Sequence, residues 1–205
     1  MSSQVWWFVS RSSGMIAWAL ITLSVCWGLF VSTKAVAKAS TPSWLLDLHR
    51  FFGGLAVSFT AVHLIGLWAD SYVEFGWSEL FVPFASEWKS SAVAWGIIAM
   101  YLLVAVEVTS LAMRWLPRRA WRWIHHLSLP LYVLATYHGI AAGTDKSNQV
   151  FRLAALASIN VVAFLAIVLI LAARRTAISR STPSKRPQRP ARSEPIPAGV
   201  VQPVG

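Results

Sequence analysis

The chain has 205 residues, of which 56% are hydrophobic and only 13% are charged. A soluble domain carries about a quarter charged residues, and several apolar blocks here approach the roughly 20 residues that cross a bilayer. The composition therefore predicts an integral membrane protein in contact with lipid, without a second folded domain. The net charge of +10 lies largely beside apolar spans, where positive residues mark the cytoplasmic side, so nucleic acid is not an expected partner.

Five apolar spans are predicted in chain order, at residues 14–31, 45–68, 92–113, 121–142 and 153–173. Each should be a helix, because hydrocarbon offers the backbone no hydrogen-bond partner. The predicted fold is an all-α bundle of five transmembrane helices within residues 1–175. The single cysteine, Cys26, excludes an intrachain disulfide.

Charges in the loops predict the orientation of the bundle. The first and third loops are basic, whereas the second is acidic, with Asp70, Glu74, Glu79 and Glu87 against Lys89. This alternation predicts an outside N-terminus and a cytoplasmic C-terminus in a multi-pass protein of the cell membrane, expected to be a bacterial plasma membrane. Cleavage of the first span as a signal peptide at "AVAKAS" is the alternative.

Two segments outside the spans have distinctive compositions. The second loop contains "FGWSELFVPF", which predicts a short amphipathic piece on the membrane surface. Residues 176–205 are rich in Ser, Pro, Arg and Lys, and have too few large apolar side chains to offset the entropy of ordering. They are predicted to form a disordered, basic cytoplasmic tail.

All five histidines lie in the second and fourth spans: His49, His63, His125, His126 and His138. Fourteen residues separate His49 from His63, which gives roughly 21 Å of rise with both side chains on one side of a helix. In the fourth span, a straight helix would leave His125 and His138 about 140° out of register. Pro130 lies between them and should kink or rotate the helix.

Spans two and four run parallel, because one helix lies between them in the chain. His49 then shares a membrane level with His125 or His126, and His63 shares the other level with His138. Facing imidazoles at two depths suit axial ligation of two b haems, with the free N–H of each ring bonded to a carbonyl or hydroxyl. Four glycines are candidates to make room for porphyrin: Gly53, Gly54, Gly66 and Gly139.

Other roles for the histidines are weaker. They could be polar residues packed between helices through hydrogen bonds, or belong to a zinc site or a proton pathway. The histidines within each span are too far apart to share one zinc ion. Few acidic residues lie within the spans, although proton relays usually depend on them.

Three segments together resemble the ferric reductase-like transmembrane domain family over about residues 5–173. They are "LHRFFG" with the following His63, "WRWIHHLSLPLYVLATYHG", and "SRSSGMIAWALITLSVCWG". The family includes NADPH oxidases, metalloreductases and the haem subunit of periplasmic methionine sulfoxide reductase systems. The resemblance implies haem b held by pairs of histidines, and electron transfer across the membrane. It also implies that His125 is the ligand and that His126 occupies a site often held by an aromatic residue.

The resemblance shapes the expected function and partners. Oxidases and metalloreductases of this family carry a flavin- and nicotinamide-binding domain, but no Gly-rich nucleotide fingerprint or flavin site is evident here. A separate flavoprotein or a quinone is therefore the expected electron donor or acceptor. The chain is predicted to be the electron-transfer component of an oxidoreductase system, with no catalytic residue of its own. The alternatives are a complete reductase of ferric ion or oxygen at the outer face, and a haem-free transporter or proton-conducting bundle.

The expected ligands of the haem irons are His49, His63, His125 and His138, with His126 as the alternative to His125 and one haem as the alternative to two. Arg50 and Arg122, together with Arg118 and Arg119, are candidates to pair with haem propionates near the cytoplasmic level, and Arg11 is the candidate at the outer level. Glu107 is costly inside a span unless paired, so it is expected to bond an arginine or a histidine N–H. Ser158 and Asn160 are expected to make interhelical hydrogen bonds.

Overall fold

The computed structural model describes residues 2–36, 42–70, 75–143 and 148–181. Within these ranges the chain folds into seven α-helices and no strand. The helices are α1 (Ser2–Val36), α2 (Ser43–Ala69), α3 (Trp77–Phe81), α4 (Ser90–Leu111), α5 (Arg118–His125), α6 (Ser128–Ala142) and α7 (Gln149–Ser181).

Four stretches of helix are long and apolar enough to cross a membrane: Gln4–Thr33, Ser43–Ala69, Ser90–Leu111 and Gln149–Ile178. They belong to α1, α2, α4 and α7, and correspond to four of the five predicted spans. The prediction of an all-helical membrane protein is therefore confirmed for the described part of the chain.

The predicted fourth span differs, because it is two helices rather than one. Residues 126–127 form a turn between α5 and α6. Pro130 has no N–H to donate to the carbonyl of His126, one helical turn earlier, and that carbonyl accepts instead from the amide of Leu129 at 3.3 Å. The break thus lies four residues before the proline. With 15 residues, α6 is about 22 Å long, which is shorter than the roughly 30 Å hydrocarbon layer.

Close contacts show how the helices run relative to one another. Gly14 and Gly28 of α1 lie against His63 and His49 of α2 respectively, so these two helices are antiparallel. Gly14 precedes Gly28 in α1, whereas its neighbour His63 follows His49 in α2. In the same way, Gly96 lies against His138 of α6 and Ser110 lies near His125 of α5, so α4 runs antiparallel to the α5–α6 segment. The histidines of α2 lie opposite those of α5 and α6.

Helix α7 packs on the outside of this group. Its Phe151 contacts Trp18 of α1, with ring centroids 5.8 Å apart, and Ser158 Oγ lies 2.9 Å from the hydroxyl of Tyr132 in α6. The interhelical bond expected of Ser158 is therefore present. Asn160 differs, since its side-chain amide donates to the Leu156 carbonyl of the same helix at 2.8 Å.

A packed apolar layer separates the two ends of the bundle. Ala56 is fully buried midway between His49 and His63, and Leu131 and Tyr132 are buried between His125 and His138. The whole cluster comprises Ile21, Val25, Leu29, Ala56, Ala99, Leu103, Leu131, Tyr132 and Val162. The two histidine levels are thus distinct sites with a hydrophobic layer between them.

Several predictions concern segments between and after the helices. The segment of the second loop that was expected to form a short amphipathic piece contains helix α3, and its position on the membrane surface stays a prediction. Helix α7 continues to Ser181, past the predicted start of the tail at 176. The proposed cleavage site at 35–40 falls mainly outside the described residues, as do Glu74 and the tail from 182 to 205.

Candidate functional site: two facing histidine pairs

The structure brings four of the five histidines together as two pairs. His49 of α2 faces His125 at the end of α5, with ring centroids 5.9 Å apart and an interplanar angle of 77°. His63 of α2 faces His138 of α6, with centroids 6.4 Å apart and an angle of 79°. The turn at 126–127 removes the register problem of a straight fourth span, so both pairs form at once.

The ring separations fit a metal between the rings. Metal–imidazole bonds are about 2 Å long and a ring nitrogen lies roughly 1 Å from its centroid, so two axial imidazoles stand about 6 Å apart. Direct ring packing would also produce contacts of this length. The separation is therefore compatible with a bound metal but does not require one. The hydrogen bonds of the rings distinguish better between the two interpretations.

Three of the four rings are held by backbone carbonyls through Nδ1. The contacts are His49 to Ser24 at 3.1 Å, His63 to Ser10 at 2.7 Å, and His138 to Ala92 at 2.8 Å. A carbonyl oxygen only accepts, so in each bond Nδ1 carries the proton and donates. The neutral ring then has its lone pair on Nε2, which is the state of a metal-binding histidine oriented by a second hydrogen bond.

His125 is held differently from the other three. Its Nδ1 lies 3.5 Å from the Ser110 hydroxyl, at the outer limit of a hydrogen bond. The ring of Trp121, one turn earlier in α5, stacks on it with centroids 5.0 Å apart and planes inclined by 23°. Aromatic packing therefore orients the ring of His125, whereas a backbone carbonyl orients each of the other three rings.

Glycines on the neighbouring helices make room for the imidazoles. A Cβ at Gly14 would lie 2.8 Å from Nδ1 of His63, and one at Gly28 would lie 3.1 Å from Cε1 of His49. A Cβ at Gly96 would overlap the ring of His138. These glycines of α1 and α4 let the helix backbone lie directly behind the ring.

The glycines singled out in the sequence have other neighbours. A Cβ at Gly66 would meet the Ser10 backbone at 2.8 Å, so Gly66 allows close packing of α1 on α2. Gly53 lies under the carboxylate of Glu107. Among the described residues, a Cβ at Gly139 would have Phe151 alone within 4 Å, and a Cβ at Gly54 would meet nothing within that distance. Of these four, only Gly139 lines the cavity described next.

A cavity of about 290 Å³ adjoins the His63–His138 pair. Its volume is near the lower end of the roughly 300–1,000 Å³ of small-molecule and cofactor pockets. Its walls are mainly apolar and include the two imidazoles, Gly14 and Gly96. Arg11 also lines it, with its guanidinium carbon 4.7 Å from the centroid of Trp7. Arg11 thus lies at the level of the His63–His138 pair, and its pairing with a haem propionate stays a prediction.

The other candidate arginines lie on the surface. Arg50 is exposed and forms an ion pair with Asp47 at 3.6 Å. The remaining candidates, in α5 and directly after it, are also exposed: Arg118, Arg119, Arg122 and His126. His125, not His126, is the histidine that faces His49. The arginines lie at the same end of the bundle as the His49–His125 pair.

The expectation for Glu107 was wrong. No ion pair or hydrogen bond to an arginine or histidine is found for its carboxylate within the described ranges. The side chain is half-buried and lies over Gly53 of α2. Glycine at position 53 thus accommodates the carboxylate between α2 and α4.

Each level offers two imidazoles and no larger set of ligands. Among the described residues there is no group of three or more His, Cys, Asp or Glu side chains that could hold a metal ion. A structural or catalytic zinc site needs three or four such protein ligands. A haem iron needs only axial ligands from the protein, since the porphyrin supplies the rest, so the residues present fit that group.

The family profile described as "Ferric reductase like transmembrane component" matches residues 13–136. The chain belongs to this family. The matched range includes His49, His63 and His125, and it ends two residues before His138. No match was found among curated proteins or among solved structures. Membership in a ferric reductase-like family suggests that the protein takes part in electron transfer in a membrane.

Proposed function

We propose that this protein transfers single electrons across the membrane through two b haems, one held by His49 and His125 and the other by His63 and His138. The observation that carries the proposal is the hydrogen bonding of the rings. In three of the four, a backbone carbonyl holds the proton on Nδ1, and Nε2 is then available as the ligand atom.

The roles of the chain's own residues follow from this assignment. The haems, when bound, supply a one-electron couple between ferric and ferrous iron. The carbonyls of Ser10, Ser24 and Ala92 orient the ligand rings, and hydrogen bonding of this kind raises ligand basicity. The glycines behind the rings keep the supporting helices close. In this assignment the residues of the two pairs bind and orient the haems, and none of them is given the role of a catalytic acid or base.

The proposal includes a separate redox partner. If each pair of imidazoles held one haem, no further ligand site would remain for a substrate, so electrons would enter and leave by outer-sphere transfer. The exposed arginines of α5 lie beside the His49–His125 pair, and we place the cytoplasmic side there because positive residues are retained on that side. A flavoprotein or a quinone would exchange electrons with the chain.

Haem content and spectroscopy test the proposal on the purified full-length chain. We expect two b haems per chain, with the absorption spectrum of six-coordinate bis-histidine iron in both oxidation states. The ferrous form should not bind carbon monoxide, because no axial position is free. A chain purified from haem-replete cells without haem would contradict the proposal and favour a transporter, and rapid binding of carbon monoxide would contradict the ligand assignment.

A further inference from the structure

One buried donor near the His49–His125 pair has no acceptor in the part of the chain that the structure describes. The indole Nε1 of Trp121 is buried, and it has no hydrogen-bond partner among the described residues. An indole N–H can donate but cannot accept, and a buried donor without an acceptor is costly. Such a group in a folded protein calls for an explanation, such as a bound ligand.

Two other indoles in the bundle show what is usual for this chain. Trp18 Nε1 donates to the Thr136 hydroxyl at 3.0 Å, and Trp27 Nε1 donates to the Leu45 carbonyl at 2.8 Å. Both bonds join different helices. Trp121 differs from these two, because its buried N–H has no acceptor among the described residues.

The position of Trp121 relates its N–H to the ligand ring. Trp121 and His125 are four residues apart in α5, so their side chains lie on one face of the helix, and the two rings are stacked. The indole therefore lies beside the haem that we assign to His49 and His125. The acceptor should be a group that arrives with that haem.

A haem b carries two propionate groups at its edge. A carboxylate only accepts hydrogen bonds, and bonds to a charged acceptor are stronger than neutral ones. Arg50 and Arg122 were the donors expected from the sequence, but both are exposed, and Arg50 is paired with Asp47. Trp121 supplies a buried donor at the same level, with the positive charge of Arg122 next to it in the chain.

We propose that the indole N–H of Trp121 donates a hydrogen bond to a propionate of the haem held by His49 and His125. Trp121 is then a cofactor-binding residue as well as the packing partner of His125. This inference rests on the proposed function, since it requires haem at that pair.

Replacing Trp121 with Phe tests the bond, because phenylalanine keeps an aromatic face for His125 and removes the N–H. Trp123→Phe is the matched control, since Trp123 is two residues away in α5 and 74% exposed. We expect haem to leave the His49–His125 pair about tenfold faster in Trp121→Phe, the scale of one charge-assisted hydrogen bond. The rate is measured by transfer to a haem-scavenging protein, and the haem at His63–His138 serves as an internal check on folding.

A second measurement removes the acceptor instead of the donor. Reconstitution of the unmodified chain with haem dimethyl ester should likewise speed loss from the His49–His125 pair, and the ester should change the loss rate much less in Trp121→Phe. Equal loss rates in Trp121→Phe, Trp123→Phe and the unmodified chain would overturn the inference, as would equal retention of ester and free acid. A chain that binds no haem at all would instead overturn the proposed function.

Discussion

The two histidine pairs are alike in spacing but differ in how the protein holds them. At His63–His138, both Nδ1 atoms bond backbone carbonyls, at 2.7 and 2.8 Å, and a glycine backs each ring. At His49–His125, one ring bonds a carbonyl at 3.1 Å, while the other has a hydroxyl at 3.5 Å and a stacked indole. The first pair is thus fixed mainly by backbone atoms, and the second depends more on side chains.

This contrast has a physical consequence. A carbonyl of a packed helix moves little, so it fixes the orientation and tautomer of the ring whatever happens to nearby side chains. A hydroxyl or an indole can be removed by one substitution. The His49–His125 pair should therefore respond to side-chain changes, whereas the His63–His138 pair should respond to changes that push the helix backbones apart.

The largest effect is expected from Gly96→Ala. The added methyl would overlap the His138 ring, and the ring cannot retreat without giving up its bond to the Ala92 carbonyl. We expect most of the haem at His63–His138 to be lost while the other haem is retained, as measured by haem content and redox titration. Gly54→Ala is the matched control, since its methyl would meet none of the described residues within 4 Å, and a similar loss there would show that the space behind His138 is not what matters.

A smaller effect is expected from Gly28→Ala. Its methyl would lie 3.1 Å from Cε1 of His49, so the ring needs to shift by only a few tenths of an ångström. We expect both haems to bind, with that at His49–His125 lost about threefold faster, equivalent to about 0.7 kcal/mol. Comparison of the two loss phases measures this, and complete loss of the haem would mean that the ring has no freedom to move.

The smallest effect is expected from Ser110→Ala, which removes the hydroxyl near His125. Without the Ser110 hydroxyl as a hydrogen-bond partner of Nδ1, the His125 imidazole becomes a less basic ligand. The midpoint potential of the haem at His49–His125 should therefore rise. Because the contact is long, the shift should be under about 30 mV, or half of the 59 mV that corresponds to tenfold in a one-electron couple.

Ser10→Ala is the comparison for Ser110→Ala. It removes a hydroxyl 3.5 Å from His63, but leaves the Ser10 carbonyl bond at 2.7 Å. In Ser10→Ala, the haem at His63–His138 should keep its midpoint potential, as measured by spectroelectrochemical titration. A larger shift in Ser10→Ala than in Ser110→Ala would contradict the distinction between the two pairs.

Much of the arrangement could be predicted because it depends on local geometry. The fourteen-residue spacing of His49 and His63 places both on one side of a helix, and Pro130 marks where the fourth span cannot continue as a regular helix. This proline accounts for the division of the span into two helices. The exact position of the break depends on which carbonyl lacks its helical donor, here that of His126. The stacking of Trp121 on His125 follows from the same i, i+4 rule and was missed.

The supporting contacts could not be predicted in the same way. Which carbonyl meets His63, or which glycine lies behind His138, depends on how α1 and α4 are shifted along their neighbours, and no local pattern specifies that shift. The candidate glycines came from the helices that carry the histidines, whereas Gly14, Gly28 and Gly96 lie on the helices opposite. Glu107 was likewise expected to have a polar partner, and instead the neighbouring helix accommodates it with Gly53.

Haem stoichiometry in single histidine variants tests the central claim most directly. His49→Ala and His63→Ala should each retain one haem per chain, and the two variants should lack different haems by midpoint potential. His126→Ala is the control, because His126 is exposed and does not face His49, and it should retain both. Two haems in either His49→Ala or His63→Ala, or none in both, would contradict an arrangement in which each pair holds its own haem.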